Sequence, residues 1–314
     1  MLELKDIINK LKQDISSFNL YFCSKLKDGK YVSFSPNVNN KIHYDLINPT
    51  IKCLDKYINH NIVSYSPIGY EDNTIEMYDI NSIKNYKNIE QSFNNADNVE
   101  TAISLDNCDF YVLELKYKNR SEEFNVRIFR KLTKFKKLCS KGFIANFNGK
   151  TLNKIESKIV GIDGEVDLLV VGEEVIVLSH YSLERIFNLE TQFKDTASDF
   201  LNNNFLSDII YNFESFRYDC LMDKKHKKKL TKMSGENIDL NNLYKKSSFI
   251  VKTIDVFEIN IKYNENPFYL IYENKRQIKD ILRILRDSYY VSTINSNPDI
   301  DSKLVDTGGN KKSK

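Results

Sequence analysis

Residues 109–117 read DFYVLELKY and residues 125–132 read NVRIFRKL, two β-rich runs on either side of a charged segment, 118–123. Side chains alternate along a strand, so Val126 and Ile128 share one face of the second run and Arg127 takes the other. The short polar connection predicts an antiparallel pair. Further strand pairs lie outward from it. Val166–Val171 and Val175–Ser179 flank Gly172-Glu173-Glu174, and Leu20–Leu26 and Lys30–Ser35 flank Lys27-Asp28-Gly29; both read as hairpins. Phe143–Phe147 reads as a short strand ended by Asn148-Gly149. Phe249–Ile261 and Phe268–Tyr272 read as strands joined by the turn Asn264–Pro267.

Helical spacing marks other segments. Leu4, Ile7, Ile8, Leu11, Ile15 and Phe18 predict a helix over residues 2–18. Asn48-Pro49 reads as an N-cap followed by proline in the first turn, leading a helix through Ile51, Leu54, Tyr57 and Ile58. Ser82–Phe93 is a helix candidate. One long helix is expected from Ser182, a second through Phe205, Ile209, Phe213 and Phe216, and a lysine-rich one stopped at Ser234-Gly235. Asp239 caps a short helix, and Lys275–Asp287 forms the last.

Strands in hairpins, then helices, then strands again predict an α+β fold, with mainly antiparallel sheets and packed helices in two domains. The boundary is placed near residue 100, after the polar segment 94–98. Residues 1–100 form an N-terminal α+β domain, the candidate module for protein contact or dimerisation through Tyr57, Tyr65, Tyr70 and Tyr78. Residues 101–295 form the second domain, and 296–314 a disordered lysine-containing tail. Removing residues 1–95 is expected to release a protein partner and leave the second domain working.

Composition removes several classes. At 314 residues and 41% hydrophobic, the chain can bury a real core and is not a disordered one. Its five cysteines are odd in number and far apart with no C-x-x-C, which argues against disulfide frameworks and zinc knuckles. The four histidines stand singly. No P-loop, dinucleotide fingerprint or nucleophile elbow occurs. No 18-residue apolar run and no leader pattern occur, so a soluble cytoplasmic protein is expected.

The net charge is only +3, yet twelve of the 46 basic residues fall in two short acid-free stretches. One is Lys224, Lys225, Lys227, Lys228, Lys229 and Lys232. On a helix held by Leu221, Met222, Leu230 and Met233, these lysines radiate outward and suit sequence-independent phosphate contact. The other is Arg127, Arg130, Lys131, Lys134, Lys136 and Lys137. Arginine is scarce here, and a guanidinium can grip phosphate with two bonds. The plainer readings are a solvated loop serving solubility for the first stretch and ion pairs with Glu114, Glu122 or Glu123 for the second. Lys311, Lys312 and Lys314 add little.

An enzymatic alternative rests on Glu114 and Lys116. E-x-K on a strand puts both groups on one face, as Mg²⁺-dependent nucleases require, with Asp97, Asp106 or Asp109 as the further acid. Asp163 and Asp167 could likewise hold a cation, or cap a turn.

The segment GFIANFNGKTLNKIESKIVGIDGEVDLLVVGEEVIVLSHYSLERIFNLE (142–190), followed by FYLIYENKRQIKDILRILRDSYYVSTI (268–294), resembles the KwaB-like family of Kiwa anti-phage defence proteins. The matching marks are Asp163 and Asp167 before a hairpin, Leu183-Glu184-Arg185-Ile186-Phe187 opening a helix, and Arg286-Asp287 near the end of a closing strand and helix. The resemblance implies a cytoplasmic, non-enzymatic DNA-binding effector that blocks phage DNA replication or expression. It also implies self-association as a homodimer or higher oligomer, and a membrane-embedded KwaA-like partner. No catalytic residue, metal or cofactor is expected.

Overall fold

The structure is a computed structural model that describes residues 4–13, 16–38, 40–69, 72–96, 108–118, 123–132, 145–148, 151–154, 162–202, 204–236, 238, 240, 244–291 and 298–300. The chain divides into two compact units, residues 1–65 with 72–189, and residues 66–71 with 190–314. The fold is α+β and mainly antiparallel, as its periodicities predict.

The first unit begins with α1 (Leu4–Leu11), β1 (Ser17–Lys25), β2 (Tyr31–Phe34), α2 (Asn40–Asp55), β3 (Asn61–Ser64), β4 (Thr74–Asp79) and α3 (Tyr86–Asn94). It continues with β5 (Phe110–Lys118), β6 (Glu123–Lys131), β7 (Ala145–Asn148), β8 (Thr151–Lys154), β9 (Leu168–Val171), β10 (Glu174–Val177) and α4 (His180–Ile186). Eight of these strands form one sheet in the order β2-β1-β5-β6-β9-β10-β4-β3; β7 and β8 pair separately. Every pair in the large sheet is antiparallel except β3 with β4.

Strand alternation builds two different faces. Leu113, Leu115, Val126, Ile128 and Leu169 cluster with Leu4, Ile7, Ile8 and Leu11 of α1 and with Leu46, Ile47 and Leu54 of α2. Each such buried side chain contributes about 1.5–3 kcal/mol. The other face carries Tyr21, Phe110, Glu114, Arg127 and Phe129. Tyr21 stacks on Phe93 of α3, and Phe129 packs on Phe187.

The boundary expected near residue 100 falls inside this architecture. Phe18 pairs with Leu115 and Cys23 with Phe110, so residues on both sides of position 100 share one sheet. The same pairing shortens the first helix: Phe18 and its neighbours join β1, and α1 ends at Leu11. The N-cap expected at Asn48 is also corrected. The helix starts at Asn40 and carries Pro49 inside it. That ring packs against Gly164, where an added Cβ would lie 2.3 Å from Pro49 Cβ, on a backbone with φ +68.

The second unit contains α5 (Leu189–Leu201), α6 (Asn204–Ile209), β11 (Ile210–Tyr211), α7 (Phe213–Met222), α8 (Lys224–Ser234), α9 (Ser247–Val256), β12 (Lys262–Glu265), β13 (Phe268–Ile271), α10 (Ile278–Leu285), β14 (Tyr289–Val291) and β15 (Pro298–Ile300). Leu206, Phe216, Leu230, Leu270, Ile281 and Leu282 lie in its core. Asn188 and Asn212, at φ 53 and φ 64, divide what hydrophobic spacing alone reads as longer helices. Phe249–Ile261 is not a strand: Ile250 and Ile254 are buried four residues apart, the period of α9. Residues 298–300, expected in a disordered tail, pair with β14. Asp239 and residues 301–314, with Lys311, Lys312 and Lys314, lie outside the described residues.

Candidate nucleic-acid interface

The lysine-rich stretch forms α8, as expected. Asp223 starts it by accepting the Lys225 N–H on Oδ1 at 2.6 Å, and the Gly235 N–H closes it on the carbonyls of Lys232 and Met233. Leu230 and Met233 are wholly buried and fix the rotation of the helix. His226 is half-buried, and burial lowers its pKa.

That rotation corrects the radiating lysine fan. Lys227 and Lys229 are each only 8% exposed. Lys227 Nζ lies 3.5 Å from Glu190, and Thr231 Oγ1 donates to the Phe193 carbonyl at 3.2 Å. Their stems lie along the core side, as long cationic side chains often do. Lys225 is exposed, and Lys224, Lys228 and Lys232 are half-exposed. At about 100° per residue these four fall within one arc of about 100°, along about 12 Å of helix axis. Each also interacts within the chain, Lys228 over the Phe193 ring at 5.9 Å.

The second basic stretch does not form one surface. Alternation along β6 puts Arg127 and Lys131 on one face and Arg130 on the other. Arg127 donates from Nε to Glu114 at 2.8 Å and from Nη1 to Tyr86 and Glu90 at 2.7 and 2.5 Å. Arg130 grips both Asp163 oxygens at 3.1 and 2.5 Å and also donates to Asp167 at 2.9 Å. Both guanidiniums are spent on carboxylates, so the phosphate grip expected of them gives way to ion pairing within the fold. The partner foreseen for Arg127, Glu114, is the one it finds. Lys134, Lys136 and Lys137 lie outside the described residues.

Lys131 remains near the surface. Its Nζ sits 4.1 Å from the centre of the Tyr181 ring and 3.0 Å from its hydroxyl, with the Arg185 guanidinium 5.6 Å from the same ring. The hydrogen bond and charge of Lys131, with help from Arg185, lower the Tyr181 pKa. This small aromatic–cationic patch joins residues 50 apart, and no spacing rule in the sequence reveals it.

Glu114 and Lys116 do share a face of β5, 3.9 Å apart. The Glu114 carboxylate is nevertheless 4% exposed and receives Arg127, Asn19 and Tyr21. Burial pushes its pKa up, but the hydrogen bonds from Arg127 and Asn19 outweigh it and hold the group below the usual carboxylate range. Asp109 accepts the Lys25 N–H and lies about 17 Å along the strand from Glu114 at a strand's rise per residue. Asp97 and Asp106 lie outside the described residues. Asp163 both pairs with Arg130 and accepts the Glu165 N–H at 3.1 Å, the turn-capping role. Asp167 receives the Lys131 N–H at 2.7 Å.

The tyrosines expected to face a protein partner are not fully exposed. Tyr57, Tyr65 and Tyr78 are half-buried, Tyr65 packs on Tyr78 and His180, and Tyr70 lies outside the described residues.

A family model described as Kiwa protein KwaB-like matches residues 105–295, well over half of the chain. The chain belongs to the KwaB-like family. Neither a curated protein nor a solved structure matches it. Membership in the KwaB-like family implies a role in Kiwa anti-phage defence beside a partner protein. The matched segment also has a structural meaning. It supplies β5, β6, β9 and β10, which are consecutive in the middle of the large sheet, while residues before it add β1 and β2 on one side and β3 and β4 on the other. Among the described residues of this KwaB-like chain, no helix is long and apolar enough to cross a membrane.

Proposed function

We propose that this KwaB-like chain is a non-enzymatic, DNA-binding effector of Kiwa defence that touches the phosphate backbone through Lys224, Lys225, Lys228 and Lys232 of α8. The aligned lysine face is the observation that carries the reading. Lys224 and Lys225 stand in the first turn, where the helix dipole favours acids and disfavours cations. An anionic partner at this end of α8 would offset that cost. Lysines act as point charges, so contact would be salt-sensitive and weakly sequence-selective. Bound DNA would hinder phage replication or expression. In this reading the protein self-associates and reaches the membrane through a KwaA-like partner.

The test is fluorescence anisotropy of labelled duplex DNA with the full chain, with and without Mg²⁺ or Mn²⁺, followed by electrophoresis of the DNA. Binding without cleavage is expected. Metal-dependent cleavage lost in Glu114→Ala would overturn the non-enzymatic reading in favour of an E-x-K nuclease.

A further inference from the structure

Tyr181, in the first turn of α4, is 56% exposed, more than any other large apolar or aromatic side chain described in the first unit. Two cations meet it. Lys131 Nζ lies over the ring, 4.1 Å from its centre, and donates to the hydroxyl at 3.0 Å; the Arg185 guanidinium lies 5.6 Å from the same centre.

Regular elements place all three side chains. Lys131 closes β6, and its backbone N–H is tied to Asp167. Tyr181 and Arg185 are four residues apart on α4 and so lie on neighbouring positions of one helix face. Buried Leu183 and Ile186 fix the rotation of that helix, and the Ser179 side chain accepts the Ser182 N–H at its start.

Charge gives the class of ligand. Arg127, Arg130 and Arg286 are each gripped by carboxylates. Arg185 and Lys131 instead meet an aromatic ring, and among the described residues neither forms an ion pair with an acid. The Lys131 hydrogen bond, and then the two uncompensated charges, lower the pKa of the phenol. Such a pair of cations attracts an anion, and the exposed ring beside them adds a flat apolar surface that the lysine face of α8 lacks.

An anion next to a flat ring describes a nucleotide. In a duplex the bases stack on one another, so a surface tyrosine does not reach their faces. In a single strand every base offers a π-face, and an aromatic ring beside a basic patch holds such strands without reading their sequence. The lysines of α8 offer charge alone, which serves either form of DNA.

We propose that Tyr181, Lys131 and Arg185 form a stacking site for single-stranded DNA, with an unpaired base on the Tyr181 ring and its flanking phosphates at Lys131 and Arg185. The inference rests on the reading of this chain as a DNA-binding protein, but not on the assignment of α8.

Fluorescence anisotropy of the full chain with a labelled oligothymidylate of about 20 nucleotides, and with a duplex of the same length, tests it. Tyr181→Ala is expected to weaken the single strand by about tenfold and to leave duplex affinity within about twofold, with the circular dichroism spectrum unchanged. Tyr181→Phe keeps the ring and is expected to hold single-strand affinity within about threefold, which separates stacking from hydrogen bonding by the hydroxyl. Lys131→Gln/Arg185→Gln is expected to weaken the single strand by about tenfold. Unchanged single-strand affinity in Tyr181→Ala or in the Lys131/Arg185 variant would overturn the proposal. So would an equal loss for the duplex in Tyr181→Ala, or a loss in Tyr181→Phe as large as in Tyr181→Ala. A parent chain that binds the duplex but not the single strand would overturn this site and leave DNA binding by α8 standing; one that binds neither would overturn both.

Discussion

Replacing Arg127 by methionine separates a structural guanidinium from a phosphate-gripping one. The Arg127 side chain is 16% exposed and that of Glu114 5%. The substitution keeps an apolar stem but removes the cation, leaving the Glu114 carboxylate buried with only the neutral donors Asn19, Tyr21 and Asn125 and the more distant Lys116 ammonium at 3.9 Å. Breaking a buried pair from one side costs about 3–5 kcal/mol. Without the guanidinium, burial dominates and the Glu114 pKa rises. The penalty therefore shrinks as acid protonates the carboxylate, while the loss of the Tyr86 and Glu90 hydrogen bonds remains. The double variant Glu114→Gln/Arg127→Met is expected to regain most of the loss. Urea denaturation followed by circular dichroism and tyrosine fluorescence is the assay, since the chain has no tryptophan. A loss under about 1 kcal/mol, or a loss equal at pH 4 and pH 7, would refute the buried-pair argument.

Two more outcomes follow from the same sheet. Glu114 and Asp163 both titrate below the usual carboxylate range, because arginine hydrogen bonds outweigh the burial that pushes each up. Their contribution is present above the unfolded values of about 4 and is lost as pH falls through the lower folded values, so stability should hold from pH 7 to 5 and drop below about pH 4. Thermal unfolding across that range checks it, and a drop already complete at pH 5 would contradict it. Deleting residues 1–95 removes β1 to β4 and bares the edges of β5 and β10. The truncated chain is expected to aggregate, not merely to release a partner; a monodisperse, folded fragment on gel filtration would contradict the shared sheet.

Much of this fold is legible in the sequence because its signals are local. Asp28-Gly29 and Gly172 announce hairpins, and both glycines adopt positive φ, at +87 and +58. The alternation in DFYVLELKY and NVRIFRKL places Glu114 opposite Arg127 in register. What local reading misses comes from distant pairing. β1 lies beside β5 rather than closing a separate domain, because strand partners are chosen by tertiary packing that composition does not encode. Phe249–Ile261 mixes β-branched and aromatic residues, and its burial period settles the helix only once the core is assembled. The basic stretches show the same limit. Their charge is visible, but which lysines face outward depends on Leu230 and Met233 docking, and which arginines are spent depends on acids up to 37 residues away.

The most direct measurement is the salt dependence of duplex DNA affinity for the parent chain and for the variant with Lys224, Lys225, Lys228 and Lys232 all changed to Gln. Four phosphate contacts correspond to a slope of about −3.6 in log K against log salt, or roughly 150-fold in affinity between 50 and 200 mM. The account predicts that the variant loses affinity and most of that slope, while Lys227→Gln, on the packed side of α8, leaves the slope unchanged. Equal slopes for parent and quadruple variant would contradict the assignment of the DNA face to α8.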